Sequence, residues 1–391
     1  MKKVLFVLAA IALVGALVSC GNTASGSNVI KLGMLYNMTG SQASLDAPSA
    51  NGAKLAAKEV NAAGGVLGKK IELVAYDGKS DAETIGKSAT QLVESDKVVA
   101  MFGFSDSDMV MAAAPIAAKA GILFVTSGAT SPKLPSQVPN YLYLACFGDN
   151  VQAAAAAEFA YNTQKAKSAY LLIDKGMEYT LLLGKYFKER FTELGGKAVL
   201  EDTYQTGDKD FSAQITKMKA LTPQPDILFV SSGPDDVGTI VKQFRDAGVT
   251  QPIYGGDGYD TPLLVQIAGK GANDVYFTTH SLMDPEAGTA EVKKFIAAYQ
   301  KEYGNPPENA FAGLGYDTVN LLVDSIKRAK SADPKAILTA LKETKNLPGV
   351  TGAITFSGDS PIPQKGVAII GVKNEKLTLA AEVVPQKVPA P

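Results

Sequence analysis

Residues Ala56 to Asp77, A-A-K-E-V-N-A-A-G-G-V-L-G-K-K-I-E-L-V-A-Y-D, hold a helix end, a turn and a strand with their own stop signals. Ala56, Ala57 and Val60 make a small apolar helical face. Gly64 and Gly65 end that helix, because the residue past the last turn often takes a positive φ that glycine adopts freely. Gly68 turns the chain again, and Ile71, Leu73 and Ala75 then alternate with polar residues as a strand does. The same alternation of strand and helix runs through most of the chain. Strands are predicted at Val29–Tyr36, Val98–Phe104, Ile122–Thr126 and Tyr141–Ala145, then at Ser168–Ile173, Ala198–Tyr204, Ile227–Val230, Ile253–Tyr254 and Val275–Thr278. Helices are predicted at Gln152–Tyr161, Leu181–Leu194, Phe211–Leu221, Val237–Ala247, Glu291–Tyr303 and Ala310–Ala329. This rhythm predicts an α/β fold of parallel sheets with helices on both faces. One series ends near Cys146 and another near Thr278, which predicts two lobes.

The N-terminus reads as an address. Lys2 and Lys3 precede an apolar run from Val4 to Val18 that is short for a membrane span and flanked as a signal peptide is. Its end, Leu17-Val18-Ser19-Cys20, resembles a bacterial lipobox, which implies cleavage before Cys20 and a lipid on its thiol. A short anchor helix with an incidental cysteine is the alternative. Residues 21–28 then form a flexible Gly/Ser-type tether. Cys146 is the only other cysteine and sits among apolar neighbours, so a buried inert thiol is expected, without disulfide, zinc or redox chemistry. The net charge is −1, or −3 without Lys2 and Lys3, and there is no basic stripe, which argues against a nucleic-acid partner.

Ligands of open α/β sheets bind beyond the carboxyl ends of the strands. Four loops fall there. In Phe104-Ser105-Asp106-Ser107-Asp108 the hydroxyls and helix-start amides suit an anion, while Ser107 or Asp106 also suits an N-cap. Thr126-Ser127-Gly128-Ala129-Thr130-Ser131-Pro132 reads as a polar turn before proline. Tyr254-Gly255-Gly256-Asp257-Gly258-Tyr259 reads as a glycine-rich loop with Asp257 free to form an Asx-turn. Asp174-Lys175-Gly176-Met177-Glu178-Tyr179 carries an aromatic that surface packing would also explain. Phe311, in Asn309-Ala310-Phe311, is a core residue on its own terms.

The wording of Ala56–Asp77, the turn at Gly128-Ala129-Thr130 and the segment Val350-x-Gly352-x-Ile354-x-Phe356 resemble the type I periplasmic binding proteins that bind branched-chain and other amino acids for ABC transporters. The resemblance runs from about Val29 to about Lys376. It implies a two-lobe fold, each lobe a parallel sheet flanked by helices, joined by a three-strand hinge. The implied division is a signal peptide over 1–19, a lipidated tether over 20–28, an N-terminal lobe over 29–147 and 279–351, and a C-terminal lobe over 148–278 and 352–391. The third crossing is expected near Val350. The implied function is an extracytoplasmic, lipid-anchored solute-binding component that closes on an amino acid, of branched-chain or hydrophobic type, and delivers it to permease subunits. By the same resemblance Ser107, Gly128, Ala129 and Thr130 hold the carboxylate, Thr130 and Asp257 the ammonium, and Tyr179 and Phe311 cover the side chain.

Departures from that pattern keep alternatives open. Asp106 and Asp108 flank Ser107 where small or hydroxyl residues are usual, and Leu45 followed by Asp46 stands in place of an aromatic. A small amide or another carboxylate in the same fold, or a ligand-sensing subunit of a receptor, are the other readings. Catalysis has little support: His280 is the only histidine and reads as structural or hinge-related, and G-x-S-x-G and P-loop motifs are absent. Neither cofactor nor metal is expected.

Overall fold

The computed structural model describes residues 28–357 and 360–391; the expected signal peptide, Cys20 and nearly all of the tether lie outside them. The chain opens with β1 (Val29–Tyr36), α1 (Ala43–Ala62), β2 (Lys70–Asp77), α2 (Ala82–Glu94), β3 (Ala100–Gly103), α3 (Ser107–Lys119), β4 (Phe124–Thr126), α4 (Leu134–Gln137) and β5 (Leu142–Leu144). These strands form one parallel sheet in the order β2-β1-β3-β4-β5. A second series follows: α5 (Asp149–Glu158), β6 (Ser168–Asp174), α6 (Glu178–Glu193), β7 (Lys197–Tyr204), α7 (Ser212–Lys219), β8 (Ile227–Ser231), α8 (Val237–Asp246), β9 (Ile253–Gly255), α9 (Pro262–Ala268) and β10 (Val275–Thr279). Helices α10 (Ala290–Tyr303), α11 (Ala310–Ala329) and α12 (Pro334–Lys342) come next, then β11 (Val367–Lys373) and β12 (Lys376–Val383). The second sheet has the order β12-β11-β10-β9-β8-β6-β7.

Central strands such as β3 (A-M-F-G) and β8 (I-L-F-V-S) are buried along their whole length, which explains their unbroken apolar wording. One expectation needs correction. The second sheet is not all parallel, because β11 pairs antiparallel with β10 and β12 antiparallel with β11. Asn374 and Glu375, both at positive φ, make the tight turn that such a hairpin needs.

Helices α10 to α12 return to the first sheet. Val319, Leu322 and Ile326 of α11 share a core with Ile30, Leu32 and Met34 of β1 and Ala53 and Ala56 of α1. Helices α1 and α11 touch backbone to backbone. A Cβ on Gly52 would lie 1.8 Å from the Ala312 carbonyl oxygen, and one on Gly315 would lie 1.9 Å from that of Ser49.

Three crossings join the lobes. The first runs from β5 to α5 and the second from β10 to α10. The third falls later than the expected Val350: Ile354 and Phe356 still belong to the first lobe's core, and Leu144 N donates to Pro361 O beside β5. The chain changes lobe only at residues 363–367. The apolar side chains of Ile354 and Phe356 hold that segment back. Lys365, half-buried in this crossing, donates from Nζ to Ala145 O (2.9 Å) and Thr351 Oγ1 (2.7 Å). Asp317 of α11 accepts from Val350 N and Thr351 N, both at 2.8 Å. Past β12 the chain runs along α5, where Gln386 N donates to the Glu158 carboxylate (3.0 Å) and Asn150 Nδ2 to Pro389 O (2.9 Å). Pro391 lies beside Tyr143 and Phe356 of the first lobe.

Candidate functional site

In the first sheet the strand order reverses between β1 and β3, and in the second between β6 and β8. Crevices of a parallel sheet open at such points, beyond the strand ends. The two crevices face each other, and the lobes are closed over a cavity of about 10 Å³, little more than the room for one water. Gln42, Leu45, Ser105, Asp106 and Phe311 line it from the first lobe; Met177, Tyr179, Pro234, Asp257 and Gly258 line it from the second. Asp108 Oδ2, at the start of α3, accepts from Glu178 N at the start of α6 across the closure (3.2 Å).

Of the residues singled out in the sequence, Tyr179, Asp257 and Phe311 reach this cavity. Tyr179, in the first turn of α6, accepts from Gly258 N at its hydroxyl (3.0 Å). Gly128 lies against Phe311, so that a Cβ there would sit 2.8 Å from the ring. Its amide donates to Phe104 O (3.1 Å), and the Ala129 amide to Thr126 Oγ1 (3.1 Å), so the fold already uses both. Thr130 O accepts from Asp149 N (2.7 Å), which ties the turn to the first residue of α5. Ser107 does not line the cavity; its Oγ accepts from Ser131 N (3.2 Å) and joins the two first-lobe loops. The N-cap of α3 is Asp106, whose Oδ1 accepts from Met109 N (3.0 Å).

Behind the cavity lies a buried polar network. Asp257 is 2 % exposed, and its Oδ1 accepts from Gln152 Nε2 (2.9 Å) while Oδ2 faces His280 Nε2 (3.0 Å). Gln152 also donates to Asp149 Oδ1 (3.0 Å) and accepts from Asp257 N (3.0 Å) and Thr278 Oγ1 (2.6 Å). His280 stacks on Phe147 at 4.0 Å and meets Phe311 edge-on at 5.6 Å. Burial holds His280 below its usual range, against the pull of Asp257, so Nε2–H is the donor to the carboxylate. Its Nδ1 has no hydrogen-bond partner among the described residues, so His280 is not paired with a nucleophile. Burial pushes Asp149 well up, with Asp257 adding to it. Burial also pushes Asp46 up to about 7, opposed by the Asn37 amide, and Asp106 up to about 6, helped by Asp108.

Gln42, Ser105 and Gln152 are the site residues that sequence reasoning passed over. Ser105 lies two residues past β3, in a loop that the strand-end rule marks, but without a feature that singles it out from Ser107. Gln152 had one local signal, its i+3 spacing from Asp149 on one helix face.

Two α/β lobes, three crossings and a cleft closed by residues from both sides define a hinged ligand-binding protein. The periplasmic binding protein family model matches residues 29–376. The Leu/Ile/Val-binding protein homolog 1 of Brucella abortus (strain 2308) is 30% identical over 365 residues, 93% of this chain and 95% of that protein. The branched-chain amino acid transporter substrate-binding protein LivJ of Streptococcus pneumoniae, solved with isoleucine, is 33% identical, with a TM-score of 0.84 over 91% of this chain and 99% of that one. A solute-binding protein of an ABC transporter from Rhodopseudomonas palustris BisB5, solved with 3,4-dihydroxy benzoic acid, is 26% identical, with a TM-score of 0.82 over 93% and 99%. The chain belongs to the periplasmic binding protein family, a class of substrate-binding, non-enzymatic proteins.

Proposed function

We propose that the chain is the extracytoplasmic substrate-binding component of an ABC transporter, anchored through a lipid on Cys20, and that it carries an amino acid to the permease. The reading is supported above all by one observation: Tyr179, Asp257 and Phe311, from three distant segments and both lobes, line one closed cleft, with the Gly128–Thr130 turn against it. The ligand carboxylate is assigned to the hydroxyls of Ser107 and Thr130, which keep a proton to donate once the lobes part around a ligand, while the Gly128 and Ala129 amides stay engaged within the first lobe and shape the turn. The ammonium is assigned to Thr130 and Asp257, where a charge-assisted bond is strong once water is excluded. Tyr179 and Phe311 cover the side chain. The lobes move as bodies comprising 29–147 with 279–362 and 148–278 with 367–391, bending at the three crossings to open and close.

A thermal-shift screen of the soluble chain, beginning after Cys20, against the amino acids tests the reading. A ligand at ~1,000 times its Kd stabilises the fold by about 4 kcal/mol. The chain has no Trp, so the readout uses a dye. Stabilisation by an amino acid that Thr130→Ala abolishes is expected; the same stabilisation in wild type and variant would defeat the site. A carboxylate without an amine is the second reading, favoured by the dihydroxybenzoate in the Rhodopseudomonas relative. Benzoates in the same screen separate the two. Loss of membrane association in Cys20→Ala tests the anchor.

A further inference from the structure

The cavity combines apolar surface with two carboxylates that an aliphatic ligand would leave facing hydrocarbon. Its charged lining residues are two carboxylates, Asp106 from the first lobe and Asp257 from the second, and it contains neither Lys nor Arg. Gln42 adds an amide and Ser105 a hydroxyl, which also serves the buried Asp46 carboxylate behind it. The start of α3 holds the Asp106 carboxylate through the Met109 and Asp108 amides, at the edge of the cavity that Asp106 lines. Asp106 is 4 % exposed, so closure removes it from water.

An α-amino acid brings one ammonium, and Asp257 accounts for that. An aliphatic side chain would then leave the Asp106 carboxylate enclosed against hydrocarbon, and an enclosed carboxylate facing no donor is costly. Leu45, Met177 and Phe311 offer apolar surface for a methylene stem. We propose that Asp106 is the specificity-determining residue of this cleft, and that the ligand is an amino acid whose side chain ends in an N–H donor: an ammonium, a guanidinium or a carboxamide. This rests on the amino-acid reading above.

The test is titration calorimetry of the soluble chain beginning after Cys20, as above, with L-lysine, L-arginine, L-glutamine, L-asparagine, L-leucine and L-isoleucine. One of the first four is expected to bind at least roughly tenfold more tightly than leucine or isoleucine, the discrimination expected of a site built to hydrogen-bond its ligand. Asp106→Asn separates the sources of the donor and keeps a good N-cap. It should weaken a lysine- or arginine-type ligand by roughly 10- to 100-fold, the size of a lost charged hydrogen bond. It should weaken a carboxamide by less than about tenfold, because the neutral bond is retained. Leucine or isoleucine binding as tightly as any of the four overturns the inference and leaves the amino-acid reading standing. Binding of none of the six overturns both. The wild-type ranking decides the matter even if the variant fails to fold.

Discussion

His280 Nε2 lies 3.0 Å from Asp257 Oδ2, both side chains nearly sealed from water, and this contact links the second crossing to the floor of the cleft. Asp257 therefore serves two roles: it lines the cavity and it anchors the backbone at the end of β10. His280→Ala would leave that carboxylate oxygen unpaired and open a gap between Phe147 and Phe311. The expected cost is about 2–4 kcal/mol in urea unfolding, with ligand affinity reduced as well. A variant as stable as wild type would mean the contact is dispensable.

Asp257→Asn keeps the shape and removes the charge. Gln152 Nε2 can still donate to the amide oxygen, and His280 can accept from the amide nitrogen only by moving its ring proton to Nδ1, so the melting temperature should fall modestly while binding of an amino acid weakens by roughly 10- to 100-fold. Calorimetry on the same preparation reads both. An unchanged Kd would remove Asp257 from the site.

The α1–α11 contact makes a sharper statement about stability. Gly315→Val forces a Cβ into the Ser49 carbonyl, where 1.9 Å is available. The helices must part, at a cost of about 1–3 kcal/mol or more. Substitution of Gly64, which has open space around its Cβ position but positive φ, should cost less. Denaturant midpoints of the two variants give the comparison.

Buried carboxyls set the pH response. Asp46 is raised to about 7 and Asp106 to about 6, first by burial, so the folded state holds protons that the unfolded chain releases near pH 4. Their contribution to stability is full below the unfolded value and is lost as pH rises through 6 to 7. His280, held below its usual range, acts oppositely and loses its contribution as pH falls below about 6.5. The melting temperature should thus fall between pH 6 and 8, by roughly 2–4 °C per kcal/mol. Asp46→Asn should flatten that decline. A wild-type melting temperature that is level or rising over that range would contradict the assignment.

Glu158 holds the last segment of the chain. It accepts from Arg190 Nε (2.9 Å), Arg190 Nη2 (2.6 Å) and the Gln386 amide, while Lys387 pairs with Glu193. Glu158→Gln breaks a buried ion pair, with an expected cost of about 2–4 kcal/mol. Hydrogen exchange at residues 385–389 should quicken more than exchange in β6. Equal protection in both proteins would show that the tail is held by other contacts.

Much of this architecture was readable from short-range pattern. The strand Val29–Tyr36 and the helix Ala310–Ala329 have the bounds read from the sequence, because each is a largely buried apolar run closed off by polar or glycine-containing segments. The Gly64-Gly65 stop and the two βα series were equally local. The antiparallel hairpin of β11 and β12 was not, since strand direction depends on which edge is free. The third crossing was misplaced for a related reason: Ile354 and Phe356 look the same in either lobe, and only the first core has room for them.

The site divides in the same way. Amino-acid order alone marked the loops after β3, β4 and β9, because strand ends face the cleft wherever a parallel sheet forms. It could not say which side chain in a loop turns inward. Ser105 and Asp106 meet the cavity while Ser107 faces Ser131, and that choice follows from the register of α3 against its neighbours. Gln152 and His280 join Asp257 from positions 105 and 23 residues away. Local pattern determines what each segment becomes; only packing between the lobes decides which polar groups are shut in together, and therefore what the cleft can hold.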